Sequence, residues 1–184
     1  MVDIPSSPRS ISIERSRGII SALPSSAKGI VVMAPKSLEE VKVAAELINP
    51  CCVQLHGGES LEFVERVKEE VSCGVIKVIH VKGKESIDEA LAFSNVCDAV
   101  LLDTSTKELG GSGKTHNWDV SSQIVNQVNC HVFLAGGLNP ENVKRAVEYA
   151  APYCVDVSSG VEAVAGKKDL QKVKRFIEAA KGVP

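Results

Sequence analysis

The residues best suited to chemistry lie between Ala99 and Thr115, which read AVLLDTSTKELGGSGKT. An apolar run, Ala99–Leu102, ends in one carboxylate, Asp103. A loop follows in which Gly110, Gly111, Ser112 and Gly113 lead to Lys114 and Thr115. A strand that stops at an acid, followed by backbone N–H groups able to approach an anion, suits acid chemistry on a phosphorylated substrate. Asp103 has two readings. It anchors its own loop, a common use of Asp, or it is a general acid set where apolar walls let it hold a proton. The GGSGKT loop also has two, a surface loop or a loop over a substrate. It is not a nucleotide motif. A P-loop needs glycine five positions before Gly113, where Glu108 stands, and a dinucleotide fingerprint needs a third glycine at His116.

Two further stretches end in small residues, Ala135–Leu138 (AGGL) and Val157–Gly160 (VSSG). Gly136, Gly137, Ser158, Ser159 and Gly160 would bind a phosphate through backbone N–H groups and hydroxyls, in preference to serving as ordinary tight turns. His56 follows Gln54 and Leu55 and has no nucleophile beside it, so it reads as a positioning group. His56, His80, His116 and His131 show no metal-ligand spacing, and neither a metal nor a cofactor is expected. Arg9, between Pro8 and Ser10, is a solvated charge by default; its Ser-Pro-Arg context would also suit aiming it at a carboxylate.

Alternating elements must hold these residues. A helix is expected from Ser12, on the recurrence of Ile13, Ile19, Ile20 and Leu23, and a strand over Lys28–Met33. A helix opens at Ser37 with acids in its first turn, followed by a strand over Cys51–Leu55 and a helix over Ser60–Glu70. Next come a strand over Val75–Ile79, a helix over Ser86–Phe93, a strand over Asp98–Leu102 and a helix over Trp118–Gln127. A strand over Cys130–Ala135 precedes a helix capped by Asn139 with Pro140 in its first turn. Tyr153–Val157 is the last strand and Asp169–Ala180 the last helix. Six strand–helix units after one lone helix imply a parallel sheet. Site-like residues after strand upon strand favour a barrel over a doubly wound sheet, which gathers its site at one switch point.

At 184 residues, with 44% apolar and 4% aromatic content, the chain has an aliphatic core suited to parallel strands under helices. A net charge of −2 without a basic block gives no footprint for nucleic acid, and no apolar run approaches the ~20 residues of a membrane span. Nothing at the start resembles a signal peptide. Six cysteines without CxxC spacing read as packing residues in a reducing, cytoplasmic setting.

With these residues in view, the chain resembles the phosphoribosylanthranilate isomerases, (β/α)8-barrel (TIM-barrel) enzymes of tryptophan biosynthesis. The matching segments are SPRSIS (7–12), VQLHG (53–57), LLDT (101–104), GGSGKTHNWDVS (110–121), AGGLNPENV (135–143), VDVSSGVEA (155–163) and GKKD (166–169), in family order. The resemblance implies that Asp103 is the general acid that protonates the furanose ring oxygen, and that Arg9 grips the anthranilate carboxylate. It places Gly136, Gly137, Ser158, Ser159 and Gly160 on the loops for the ribose phosphate, with Asp156 and His56 near the site. The implied reaction is an Amadori rearrangement of a small phosphoribosyl substrate, without cofactor or metal.

One departure stands out. The family opens on a strand reading approximately KICGI, whose cysteine is the general base, and no cysteine of this chain has that context. The expectation is a single (β/α)-barrel domain over 1–184 that lacks its N-terminal βα unit, with about six full units and a leading helix. A coding sequence that starts further upstream explains this best. A fragment needing a complementing piece and an inactive phosphosugar-binding barrel are the alternatives, and another phosphosugar isomerase is the rival among enzymes. Losing an acid–base partner costs about 10²–10⁴ in rate. An opened barrel edge would also invite a second copy of the chain as partner.

Overall fold

A computed structural model of the chain describes residues 1–2, 4, 7–104 and 115–182. These divide into two compact units, Met1–Val78 with Ala92–Ala99, and Ile79–Leu91 with Val100–Pro184.

The first unit begins with α1 (Ile13–Ser21), β1 (Ile30–Met33), α2 (Leu38–Ile48), β2 (Cys52–Leu55) and α3 (Leu61–Glu70), and enters β3 (Gly74–Val81). Serines at the expected places start all three helices: the Ser12, Ser37 and Ser60 hydroxyls accept the N–H groups of Arg15, Glu40 and Phe63. α2 buries Val41, Ala44 and Ile48 along one stripe, and α3 buries Val64 and Val67. Val31 and Met33 of β1, Val53 and Leu55 of β2, and Val75, Ile76 and Val78 of β3 are buried too. Each such side chain contributes roughly 1.5–3 kcal/mol. β1 pairs parallel with β2, Val31 opposite Val53, and β2 pairs parallel with β3, Val53 opposite Val75.

The second unit holds most of α4 (Glu85–Phe93) and of β4 (Ala99–Thr104). It continues with α5 (Trp118–Gln127), β5 (His131–Leu134), α6 (Val143–Ala150), β6 (Cys154–Val155) and α7 (Leu170–Lys181). Val100, Leu101 and Leu102 of β4 are all buried, as befits a parallel strand covered on both faces. α6 buries Val143, Ala146 and Ala150, and β6 pairs parallel with β5. The strands follow one another in a single sheet in chain order, β1-β2-β3-β4-β5-β6. A doubly wound sheet would reverse direction at its switch point; this one does not.

Several boundaries differ from expectation. β3 runs to Val81 because Lys77 and His80, which interrupt the apolar pattern, are carried within it. β4 includes Asp103 and Thr104. Asn139 caps as expected, its Oδ1 accepting the N–H groups of Glu141 and Asn142 at 3.0 Å each, but the capped piece is a turn and the regular helix begins at Val143. The last parallel strand shrinks to Cys154–Val155. Between it and α7 lie a short 3-10 helix, Ser159–Val161, and an antiparallel hairpin of β7 (Glu162–Val164) and β8 (Lys167–Lys168), both too short to show in the pattern. Packing explains Cys97, which is buried, but not Cys51 and Cys154, which are exposed.

Candidate active site

The second unit carries Asp103, Gly136, Gly137, Asp156, Ser158, Ser159 and Gly160; the first carries Arg9 and His56. Four buried residues, Ala99–Leu102, bring β4 to Asp103, which is half-buried. Its Oδ1 accepts the N–H of Thr104 at 2.8 Å. Asp156 follows β6, held by its own N–H to the Leu134 carbonyl at 2.8 Å. Asp156 keeps more than a third of its surface exposed, yet crowding of its carboxyl by surrounding protein atoms, and then the Asp103 charge, push that carboxyl above the usual range, with Lys168 opposing. A pair of interacting carboxyl groups in which one is driven towards its neutral form is the kind of arrangement acid–base chemistry uses.

The two small-residue loops are shaped by close backbone approach. Gly136 and Gly137 have φ of 81° and 69°, a region that other residues rarely enter. A Cβ at Gly136 would strike the hydroxyl and amide nitrogen of Thr104. One at Gly160 would strike the carbonyl oxygen of Leu138 and lie 3.2 Å from the Asn139 Cα. The loop after β5 and the loop after β6 therefore touch backbone to backbone. The Asn142 side chain donates to the Gly137 carbonyl at 3.0 Å. Lys168, which the sequence marks only as part of the GKKD motif, donates to the Ser158 carbonyl at 2.7 Å and to Glu162 at 3.1 Å. Gly110, Gly111, Ser112, Gly113 and Lys114, with the loop readings attached to them, lie outside the described residues.

In the first unit, Arg9 sits half-buried in a turn. The Ser7 hydroxyl accepts the Arg9 N–H at 3.2 Å, and the Ser7 carbonyl accepts the Ser10 N–H at 3.1 Å. His56 follows β2, its N–H donating to the Met33 carbonyl at 2.8 Å and its Nδ1 lying 3.4 Å from the Gln54 amide nitrogen. The loop beyond it is pinned by an ion pair that no motif or spacing announces. Lys77 Nζ donates to Glu59 Oε2 at 2.9 Å, to the Gly57 carbonyl at 2.8 Å and to the Val78 carbonyl at 2.9 Å. Glu59 Oε1 accepts the Gly57 N–H at 2.9 Å, and the Lys77 and Glu59 side chains are only 3% and 4% exposed. All three ammonium protons thus have acceptors, the condition under which a buried charge is tolerated.

Among the described residues no helix is long and apolar enough to cross a membrane, and no group of three or more His, Cys, Asp or Glu is placed to hold a metal ion.

The family described as N-(5'phosphoribosyl)anthranilate (PRA) isomerase matches residues 1–179. The N-(5'-phosphoribosyl)anthranilate isomerase of Methanocella arvoryzae is 46% identical over 179 residues, which are 97% of this chain and 84% of the relative. The crystal structure of phosphoribosyl anthranilate isomerase from Thermotoga maritima aligns with a TM-score of 0.90 at 39% identity, covering 100% of this chain and 87% of that one. A further Thermotoga maritima structure is described as monomers generated from the dimeric enzyme; it has a TM-score of 0.85 at 35% identity and covers 99% and 86% of the two chains. A family structure in complex with reduced 1-(o-carboxyphenylamino)-1-deoxyribulose 5-phosphate gives 0.86 at 34% identity, over 100% and 86% of the two chains. The α/β fold of the (β/α)8-barrel class expected from the sequence is the fold these structures share with this chain. The chain belongs to the N-(5'-phosphoribosyl)anthranilate isomerase family.

Proposed function

We propose that this chain isomerises N-(5'-phosphoribosyl)anthranilate to 1-(2-carboxyphenylamino)-1-deoxyribulose 5-phosphate in tryptophan biosynthesis. The observation that carries this is a half-buried carboxylate, Asp103, at the end of a buried strand, in the same unit as Asp156 and two glycine- and serine-lined loops. Asp103 gives a proton to the furanose ring oxygen, and the ring opens to a Schiff base. A general base, the role the resemblance gives to a cysteine without a counterpart in this sequence, then takes the C2′ proton; the enolamine gains a proton at C1′ and loses one from the C2′ hydroxyl to become the 1-deoxyketose. Gly136, Gly137, Ser158, Ser159 and Gly160 hold the phosphate through N–H and hydroxyl donors, Arg9 takes the anthranilate carboxylate, and His56 is a positioning group near the site. The reaction is internal and draws on no cofactor or metal. The expected setting is the cytoplasm, and a homo-oligomer is a possible assembly, the Thermotoga maritima enzyme being described as dimeric.

The test is consumption of N-(5'-phosphoribosyl)anthranilate by the 184-residue chain, and by the same chain extended with sequence encoded upstream in frame, alongside the Asp103→Asn variant. Turnover that falls about 10²–10⁴-fold in Asp103→Asn, with binding of a reduced product analogue retained, is the expected result. Near-normal turnover in that variant would remove Asp103 from the chemistry. Analogue binding without turnover in any form would leave a phosphosugar-binding protein.

A further inference from the structure

We propose that Thr104 and His116 are positioning residues for Asp103, acting as one hydrogen-bonded unit. The inference rests on the isomerase reading above and adds two side chains to it. Thr104 Oγ1 accepts the backbone N–H of His116 at 3.1 Å and lies 3.1 Å from its Nδ1. The other ring nitrogen, Nε2, lies 2.6 Å from the hydroxyl of Ser121, a fully buried residue of α5. From the Thr104 side, the backbone N–H holds Asp103 Oδ1. A chain of polar contacts therefore runs from α5 through the imidazole and the Thr104 hydroxyl to the peptide that grips the carboxylate.

The arrangement depends on a neutral imidazole. Burial keeps His116 below the usual histidine value, with the Asp103 charge opposing. In a neutral ring one nitrogen donates and the other accepts. The Thr104 hydroxyl can give its proton to Nδ1 while Nε2–H donates to Ser121, or both bonds can run the other way, and neither tautomer leaves a partner out. A doubly protonated ring would remove the acceptor for the Thr104 proton. Among the described residues, the charged groups lining its surroundings are Asp103 on β4, Lys82 beyond β3, Asp119 on α5 and Arg145 on α6, together with the Tyr149 phenol.

Thr104 is held on a further side as well. The Gly136 backbone lies where any side chain would strike the Thr104 hydroxyl and nitrogen. The Thr104 peptide therefore has little room to turn while its hydroxyl stays bonded. Once that bond is removed, the N–H that fixes Asp103 Oδ1 can rotate away, and a displacement near 1 Å costs about 10²-fold in a catalytic step.

The experiment compares Thr104→Val, Thr104→Ser, His116→Phe and the His116→Phe/Thr104→Val double variant with the unaltered protein, by steady-state kinetics and by NMR titration of the imidazole. Valine keeps the threonine shape and phenylalanine keeps an aromatic ring, so the changes chiefly remove the polar link. Each is expected to lower kcat about 10- to 100-fold with KM within about twofold. Serine should restore activity, and the double variant should be no worse than the weaker single one. The imidazole should titrate below about 6.5, and lower again in Asp103→Asn, where the opposing charge is gone. Full activity in Thr104→Val, a rise in KM alone, or losses that multiply in the double variant would each overturn the proposal. Should neither the unaltered chain nor its upstream-extended form turn over substrate, the isomerase reading fails. The titration then decides the present one by itself, since a midpoint that ignores Asp103→Asn breaks the link.

Discussion

The ends of β2 and β4 are secured in opposite ways. Beyond β2, the His56–Glu59 loop is fixed by a full positive and a full negative charge, Lys77 and Glu59, both almost wholly out of water. At the end of β4, among the described residues, Asp103 takes the Thr104 backbone N–H, and Thr104 in turn meets a ring kept neutral and a glycine backbone. Charges out of water lose several kcal/mol of hydration each, recovered only while both partners and their hydrogen bonds are present. Such a lock has two settings, intact or broken. Neutral polar contacts cost less to bury and can be weakened in steps. On the proposed reading, in which Asp103 delivers a proton, its strand end is better served by the second kind.

Breaking the lock beyond β2 should give the largest effect. Lys77→Met strands Glu59 without its cation and should lower unfolding stability by about 3–5 kcal/mol, measured by urea titration. Replacing both, Lys77→Met with Glu59→Leu, should recover most of that loss; a double variant as unstable as the single one would mean that packing, not charge, secures the loop. Next in size is Gly136→Ala at the neutral frame. The positive φ and the collision with Thr104 should cost about 1–3 kcal/mol, and kcat should fall with it.

A smaller effect concerns Asp156. Its folded pKa lies above the unfolded value, so ionising it opposes folding: the wild type loses stability relative to Asp156→Asn as pH rises from the unfolded pKa, about 3.9, through the folded one. Asp156→Asn should therefore raise Tm at pH 7 and leave it little changed near pH 3, with differential scanning calorimetry as the check. An equal shift at both values would contradict desolvation of the carboxyl as the cause. Smallest is an exposed counterpart to the buried pair, Lys68 with Asp98 at 2.7 Å, their side chains 42% and 44% exposed. Lys68→Ala should cost about 0.2–1 kcal/mol, and less in high salt.

The elements legible in the sequence are those whose cause is local. Ser12, Ser37, Ser60 and Asp169 each precede a periodic apolar stretch and each caps its helix. Asp103 is visible because it interrupts a run of four apolar residues. The Gly136 and Gly160 loops are visible because small residues cluster there. What stays hidden depends on partners distant in the chain. Lys77 reads as a flaw in a strand until Glu59, eighteen residues earlier, arrives beside it. His116 looks like an isolated histidine until Thr104, twelve residues back, and Ser121 close on its two nitrogens. The β7–β8 hairpin escapes notice because two strands of three and two residues around Gly166 carry no period to detect. Hydrophobic pattern reports what each segment wants by itself; a polar contact between segments leaves no such trace.

The backbone contact of Gly160 with Leu138 has a consequence for inheritance and design. Because a Cβ at 160 has nowhere to go, the two loops cannot drift independently: a longer or bulkier version of one demands a matching change in the other. They form a cassette. Transplanting Gly136–Asn139 alone into a related scaffold should fail where the recipient carries a side chain at the position of Gly160, and moving both segments together should succeed.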